Sequence, residues 1–410
     1  MGSQVKLKKL VVLSIFLLIS GCTAPPAAQI EKNTSLAESV DSEIEKKQFF
    51  VWGPSFYSSI VDIYVSAGGE YLAGGTGTII TEDGLIITNQ HVVVGGDEFE
   101  IYTYGTYDAE SGEFVNPETN EIVEPLPATL MGSSQCNDIA VLQIDSNRVF
   151  NYLEWYGEDI MPGLEIYTLG YPGVADGEIA VTTGVVSYIN SLGDSTWTAP
   201  GYNTFAHTSP IFSGNSGGPV VTAEGKLVGI NYLTEESYDE VFPISKAINN
   251  NYVKDIVDNY LSKGINYTDI GIDSSAIDLY WFLPEDDERS LTMHYIEKVQ
   301  PGSIGEIASL LPDTLLLEVG NNDIGFIQIG TNESSYELCN KLEEWEDSST
   351  DLLNYIAYTC DAEAFYKGYI SKQGIEEEIE FIENPYEDNG FTLSDFQQVC
   401  LTYYEHMYGY

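Results

Sequence analysis

Between Ser55 and about Ile256 the chain is divided into short apolar runs, each ended by turn residues. Ser59-Ile60-Val61-Asp62-Ile63-Tyr64-Val65 and Phe99-Glu100-Ile101-Tyr102-Thr103-Tyr104 alternate with a period of two, which puts successive side chains on opposite faces of a strand. Gly77–Ile80 and Leu85–Thr88 flank Glu82-Asp83-Gly84, and Pro219–Val221 and Leu227–Asn231 flank Glu224-Gly225-Lys226, so both pairs read as hairpins. Ile139–Ile144, Glu165–Gly170 and Gly184–Ile189 add further strands, and Asp108–Pro125 reads as a long hairpin excursion. Short strands in this number bury a face only by closing on themselves or stacking, which predicts a mainly β domain of two barrels. A helix over Ile244–Leu261 is expected to close it.

A second unit is expected over residues 266–382. Tyr295–Val299, Leu315–Val319, Leu353–Tyr358 and Ala364–Ile370 read as strands, and Gly302–Ala308 and Tyr336–Glu344 as helices, which together make a small α+β domain. Residues 383–410 read as a separate acidic, aromatic tail. A length of 410 residues accommodates two domains, each with its own core.

The N-terminus carries Lys6, Lys8 and Lys9, then an apolar run from Leu10 to Ile19, then Ser20-Gly21-Cys22. The run is short for a membrane span. The order resembles a bacterial lipoprotein signal over residues 1–21, which implies cleavage before Cys22, acylation of that cysteine and a lipid anchor in the cell envelope. An ordinary signal peptide with an incidental cysteine is the other reading. Residues 22–54 then form a flexible tether. The four remaining cysteines, Cys136, Cys339, Cys360 and Cys400, allow three disulfide pairings. Cys339–Cys360 is expected first, because both lie in the second unit; buried free thiols are the alternative. No Cys-x-x-Cys spacing or spaced-oxygen loop is present, so no metal or other cofactor is expected. With 16 Lys+Arg against 64 Asp+Glu, the net charge of −48 argues against nucleic acid as a partner.

Chemistry concentrates in three segments: Thr88-Asn89-Gln90-His91-Val92-Val93, Asn137-Asp138-Ile139-Ala140-Val141-Leu142 and Gly214-Asn215-Ser216-Gly217-Gly218-Pro219. A serine hydroxyl is a weak nucleophile until a base takes its proton, a carboxylate orients the base and donors hold the oxyanion. His91, Asp138 and Ser216 supply the first three parts, and the amides of Gly214 and Ser216 the fourth. Asp62 and Asp97 are alternative acids, but only Asp138 opens a strand in this setting. Pro210 and Ile211 precede the nucleophile and floor the expected specificity pocket without charge, which predicts apolar selection. His207 reads as structural, or else as a second base or a pH sensor.

These segments, with Gly75–Ile80, Leu169–Gly173 and Thr183–Ser187, resemble the HtrA/Deg serine proteases over about residues 55–262. The resemblance implies a chymotrypsin-like double β-barrel, with His91 as base, Asp138 as its orienter and Ser216 as nucleophile. It also implies extended or unfolded polypeptides as substrates and a homo-oligomer, a trimer. The second unit resembles a PDZ domain through Ile296–Ser303 and Asp313–Gly320, with a peptide groove between Tyr295–Val299 and the helix near Tyr336–Leu342. His207-Thr208-Ser209 and Asp313-Thr314 depart from the family's usual residues. Because the three catalytic positions precede Val221, the second unit is expected to be dispensable for cutting short peptides. A catalytically silent chaperone or scaffold is the competing function. A lipid-anchored solute-binding protein is excluded by the lack of a long alternating α/β pattern.

Overall fold

The structure, a computed structural model, describes residues 52–108, 113–116, 121–175, 177–195, 197–235, 244–282, 289–328, 335–376 and 378–408. The expected signal segment, Cys22 and most of the expected tether lie outside these residues. After a one-turn helix α1 (Pro54–Tyr57) come β1 (Ile60–Ala67), β2 (Glu70–Ile79), β3 (Leu85–Thr88), helix α2 (Gln90–Val93) and β4 (Glu98–Tyr102). The excursion forms a two-stranded ribbon, β5 (Thr106–Asp108) and β6 (Glu113–Val115), and β7 (Leu126–Ser134) and β8 (Ile139–Ile144) follow. Six strands close a barrel in the order β1-β2-β3-β8-β7-β4. Its interior is filled by the inward-facing set Val61, Ile63, Val65, Ile79, Ile86, Ile101 and Leu142.

The second barrel uses β9 (Glu165–Gly170), β10 (Ala180–Ser191), β11 (Thr204–His207), β12 (Pro219–Val221), β13 (Leu227–Glu235) and β14 (Ile244–Asn249), closed in the order β10-β11-β14-β13-β12-β9. Two six-stranded barrels are the double β-barrel expected. The helix expected from Ile244 is corrected: residues 244–249 pair with both β11 and β13. Without a sixth strand the barrel would leave two edges open, and pairing overrides local helical spacing. The helix, α3 (Asn250–Asn259), starts only after Asn249, whose side chain caps it by accepting the Asn251 amide at 3.0 Å.

The second unit is one antiparallel sheet with a helix on each face. Its strands are β15 (Ile272–Asp278), β16 (Thr292–Val299), β17 (Thr314–Asn321), β18 (Gly325–Gln328), β19 (Leu352–Thr359), β20 (Ala364–Ser371) and β21 (Glu380–Ile382), with helices α4 (Ile304–Ile307), α5 (Tyr336–Asp347) and α6 (Leu393–Tyr408). Alternation sorts the two faces. Leu316 and Val319 join one core with Leu338 and Leu342 of α5, while Leu315 and Leu317 join another with Phe396 and Val399 of α6.

Three expectations for this unit are corrected. Residues 383–410 are not a separate tail, because α6 supplies Phe396, Val399 and Tyr403 to the sheet's second core. The disulfides are Cys136–Cys339 and Cys360–Cys400, with Cα separations of 5.5 and 5.8 Å. Cys339 and Cys360 pack with opposite faces of the sheet and so cannot meet. The strand expected to offer a free edge, Tyr295–Val299, lies in β16 between β15 and β17. Tyr295 and Ile296 have strand partners on both sides, so a peptide cannot add there, whereas Lys298 and Val299 pair on the β15 side alone.

Candidate active site

His91 stands in α2, directly after β3. Asn89 occupies the N-cap position but does not cap the helix with its side chain; instead its amide donates to the Asp138 carbonyl at 2.8 Å. Asp138 is 1% exposed and sits in the left-handed region at φ 52°. Aspartate tolerates that conformation better than most residues. Bent this way, the carboxylate accepts from the His91 amide at 3.0 Å and meets His91 Nδ1 at 2.8 and 3.0 Å. Those contacts fix the ring's orientation and make Nδ1 the protonated nitrogen, leaving Nε2 as the basic one. Burial pulls the His91 pKa down, but the charge and hydrogen bond of Asp138 outweigh it, so it lies above the ordinary value of 6.5.

Ser216 arrives from the second barrel on the tight 214–218 loop. Gly214 has φ 97°, and a Cβ there would stand 2.5 Å from the Tyr171 carbonyl and 2.9 Å from Pro172 Cα. Only glycine fits. Gly217, at φ 78°, packs against Thr88, three residues before His91. The two halves of the site thus meet along the β2–β3 hairpin. The Ser216 hydroxyl makes no hydrogen bond with His91; the nucleophile–base bond in such sites is commonly loose until substrate arrives. The amides of Asn215 and Gly217 are bonded to Phe212 and Asn231 carbonyls, whereas those of Gly214 and Ser216 have no acceptor among the described residues. Two free donors beside a serine hydroxyl are what an oxyanion needs.

Sequence reasoning missed the residue that binds the halves together. Thr76 is fully buried. Its hydroxyl donates to the Gly214 carbonyl at 2.6 Å and accepts from the Tyr171 amide at 2.9 Å, while its own amide donates to the Ser216 carbonyl at 2.9 Å. Thr88 adds a bond to the Thr76 carbonyl at 2.8 Å. The only signal in the sequence was two threonines on facing strands of one hairpin.

The other candidates separate. Asp97 binds the Gly68 amide at 3.0 Å. Asp62 points into a neighbouring cavity. His207 is 1% exposed, and burial lowers its pKa to about 4, an effect that the Ser209 backbone and Asn231 only partly offset. It is neutral and structural at physiological pH. Pro210 is exposed, with its carbonyl accepting from Thr182 at 2.7 Å, and Ile211 is half-buried. Asp138 is held from a further side as well. Cys136, two residues before it, is bonded to Cys339 of α5. The second unit also reaches the His91 segment: Gln90 donates to the Ile272 carbonyl at 3.3 Å, and Gln300 clamps the turn at Gly95 and Gly96 with bonds of 3.0 and 2.8 Å.

All three chemical residues fall inside one recognisable stretch. Residues 75–230 match the trypsin-like peptidase domain. The peptidase domain has homologues among HtrA and DegP-like serine proteases. The serine protease Do-like HtrA of Bacillus subtilis is 30% identical over 266 residues, covering 61% of this chain and 55% of that protein. A probable periplasmic serine endoprotease DegP-like of Rhizobium meliloti is 30% identical over 193 residues, covering 47% and 34%. The chain therefore spans about half or less of the length of these relatives. Among solved structures, the serine endoprotease from Yersinia pestis aligns with 81% of this chain and 99% of its own at 19% identity and a TM-score of 0.42.

Proposed function

We propose that the chain is a serine endopeptidase acting on extended or unfolded polypeptides. The observation that carries this reading is the His91–Asp138 pair on the first barrel, joined through Thr76 to the loop on which Ser216 and two unbonded amides stand. Ser216 Oγ attacks the scissile carbonyl as His91 Nε2 takes its proton, and Asp138 stabilises the imidazolium. The Gly214 and Ser216 amides hold the oxyanion. His91 then protonates the leaving amine, and water repeats the sequence on the acyl-enzyme. Because the base acts neutral, activity rises with pH through a pKa above that of free imidazole.

Digestion of unfolded casein with the cut sites mapped by mass spectrometry tests the reading. Cuts after small or medium apolar residues are expected, because Pro210 and Ile211 give a substrate cation no partner. No cleavage would contradict the endopeptidase reading; dominant cuts after Arg would contradict the apolar pocket. Glu236 and the Glu235 side chain, the alternative lining for such a pocket, lie outside the described residues.

The relatives' printed names place several of them in the periplasm. With the Leu10–Cys22 pattern, this supports an exported, lipid-anchored protein on the outer face of a bacterial membrane. Cys22→Ala is expected to move the protein from the membrane fraction to the soluble one or to block processing. Unchanged fractionation would remove the anchor from the account.

A further inference from the structure

Beside the nucleophile loop, and not lined by Pro210 or Ile211, a cavity of about 410 Å³ opens between the barrels. That volume is within the range of sites that take a whole side chain or small ligand. Phe212, Ser213 and Gly214 form one wall, so the cavity shares a residue with the oxyanion donors. The opposite wall comes from the first barrel: Asp62 and Tyr64 of β1, and Tyr71, Gly74 and Gly75 of β2. Tyr171 completes it.

Asp62 is the one charged group lining the cavity among the described residues. It is 7% exposed, and none of its side-chain oxygens bonds to a side chain or forms an ion pair there. A carboxylate so placed is costly unless something pairs with it. The titratable groups around it are tyrosines. Tyr64, Tyr71 and Tyr171 share the cavity, and Tyr102 of β4 stands opposite Asp62 in register. The Tyr171 hydroxyl is already engaged with the Ile60 carbonyl at 3.3 Å. Aromatic walls around a single acid suit a long cationic side chain, with the stem on the rings and the head at the carboxylate.

We propose that this cavity is a subsite for a lysine or arginine side chain of the substrate on the leaving-group side of the scissile bond. The inference rests on the peptidase reading. It assigns a position beyond the bond because Pro210 and Ile211, which floor the pocket expected for the residue before the cut, do not line this cavity. Burial raises the Asp62 carboxyl from 3.8 to about 7, only partly offset by the Ile63 backbone. The site is therefore charged and cation-seeking above about pH 7 and neutral below it.

The test compares peptides that differ only in lysine or norleucine at each of the first three positions after the cut. At about pH 8 the lysine peptide is expected to be favoured about tenfold in kcat/KM at one of those positions, falling toward parity near pH 5.5. In Asp62→Asn the ratio is expected to be near one at both pH values. Since the folded pKa lies above the unfolded one, the native aspartate loses stability as pH rises toward 7, so Asp62→Asn is expected to melt no lower than wild type near pH 8. That melting check separates a lost preference from a lost fold. An unchanged ratio in folded Asp62→Asn, or a cation preference only before the cut, overturns the proposal. A second arm uses Ser216→Ala and the fluorescein-labelled lysine heptapeptide, read by anisotropy. Tighter binding of lysine than norleucine, abolished by Asp62→Asn, supports the subsite even if hydrolysis proves absent; equal binding overturns it.

Discussion

Ser216→Ala is expected to lower kcat/KM on any cleavable peptide by about 10⁶-fold while leaving the melting temperature nearly unchanged. The size follows from the division of labour in the site. The Gly214 and Ser216 amides persist in the variant, so oxyanion stabilisation and substrate binding remain, but no atom is left to form the acyl-enzyme. His91→Ala is expected to be comparably severe, because it removes the base that Asp138 orients. Asp138→Asn should cost about 10⁴-fold, since an amide in place of the carboxylate favours the wrong imidazole tautomer. Initial rates on a quenched fluorescent peptide, alongside thermal melts, check all three. Wild-type rates in folded Ser216→Ala would end the triad assignment.

The second large effect concerns the C-terminal unit. The double variant Cys136→Ser/Cys339→Ser is expected to lose about 3–5 kcal/mol of unfolding free energy, because this bond closes a loop spanning 203 residues of sequence separation. Activity on short peptides is expected to fall about tenfold with it. The bond anchors the loop that carries Asp138 in its left-handed conformation, and a strained backbone persists only where its surroundings enforce it. These contacts run against the expectation that the second unit is dispensable for chemistry. Its Gln300 clamp and its backbone contact with Gln90 hold the turn that carries His91. Its ion pair, Lys298 with Asp273 at 3.2 Å, lies close enough to act on the imidazole in opposite senses. Denaturant melts and peptide kinetics under non-reducing conditions check the prediction. A melt and a kcat/KM matching wild type would show that the bond only decorates the interface.

The double barrel was legible because period-two alternation and turn residues are local signals, and five of the first barrel's six strands fall where those signals place them, the exception being β7 (Leu126–Ser134). The His91–Asp138 pair was legible because each member sits in a short segment of distinctive chemistry. What failed was everything decided by distant partners. Ile244–Asn249 became a strand because a barrel needed closing. Cys339 found Cys136 because α5 docks beside the Asp138 loop, a fact of tertiary packing that sequence separation conceals. Phe396, Val399 and Tyr403 looked like a tail because their core is built from strands that begin as far back as Ile277. Thr76 carries no motif at all; its role comes from facing the 214–218 loop across the barrels.

Labelling with a fluorophosphonate reports most directly on the central claim, because only a serine activated by a base and an oxyanion site reacts with it. The folded protein is expected to take up one label, located on Ser216 by peptide mass mapping, and to take up none after unfolding or in His91→Ala. A folded protein that stays unlabelled, or that carries its label on another residue, would contradict the account.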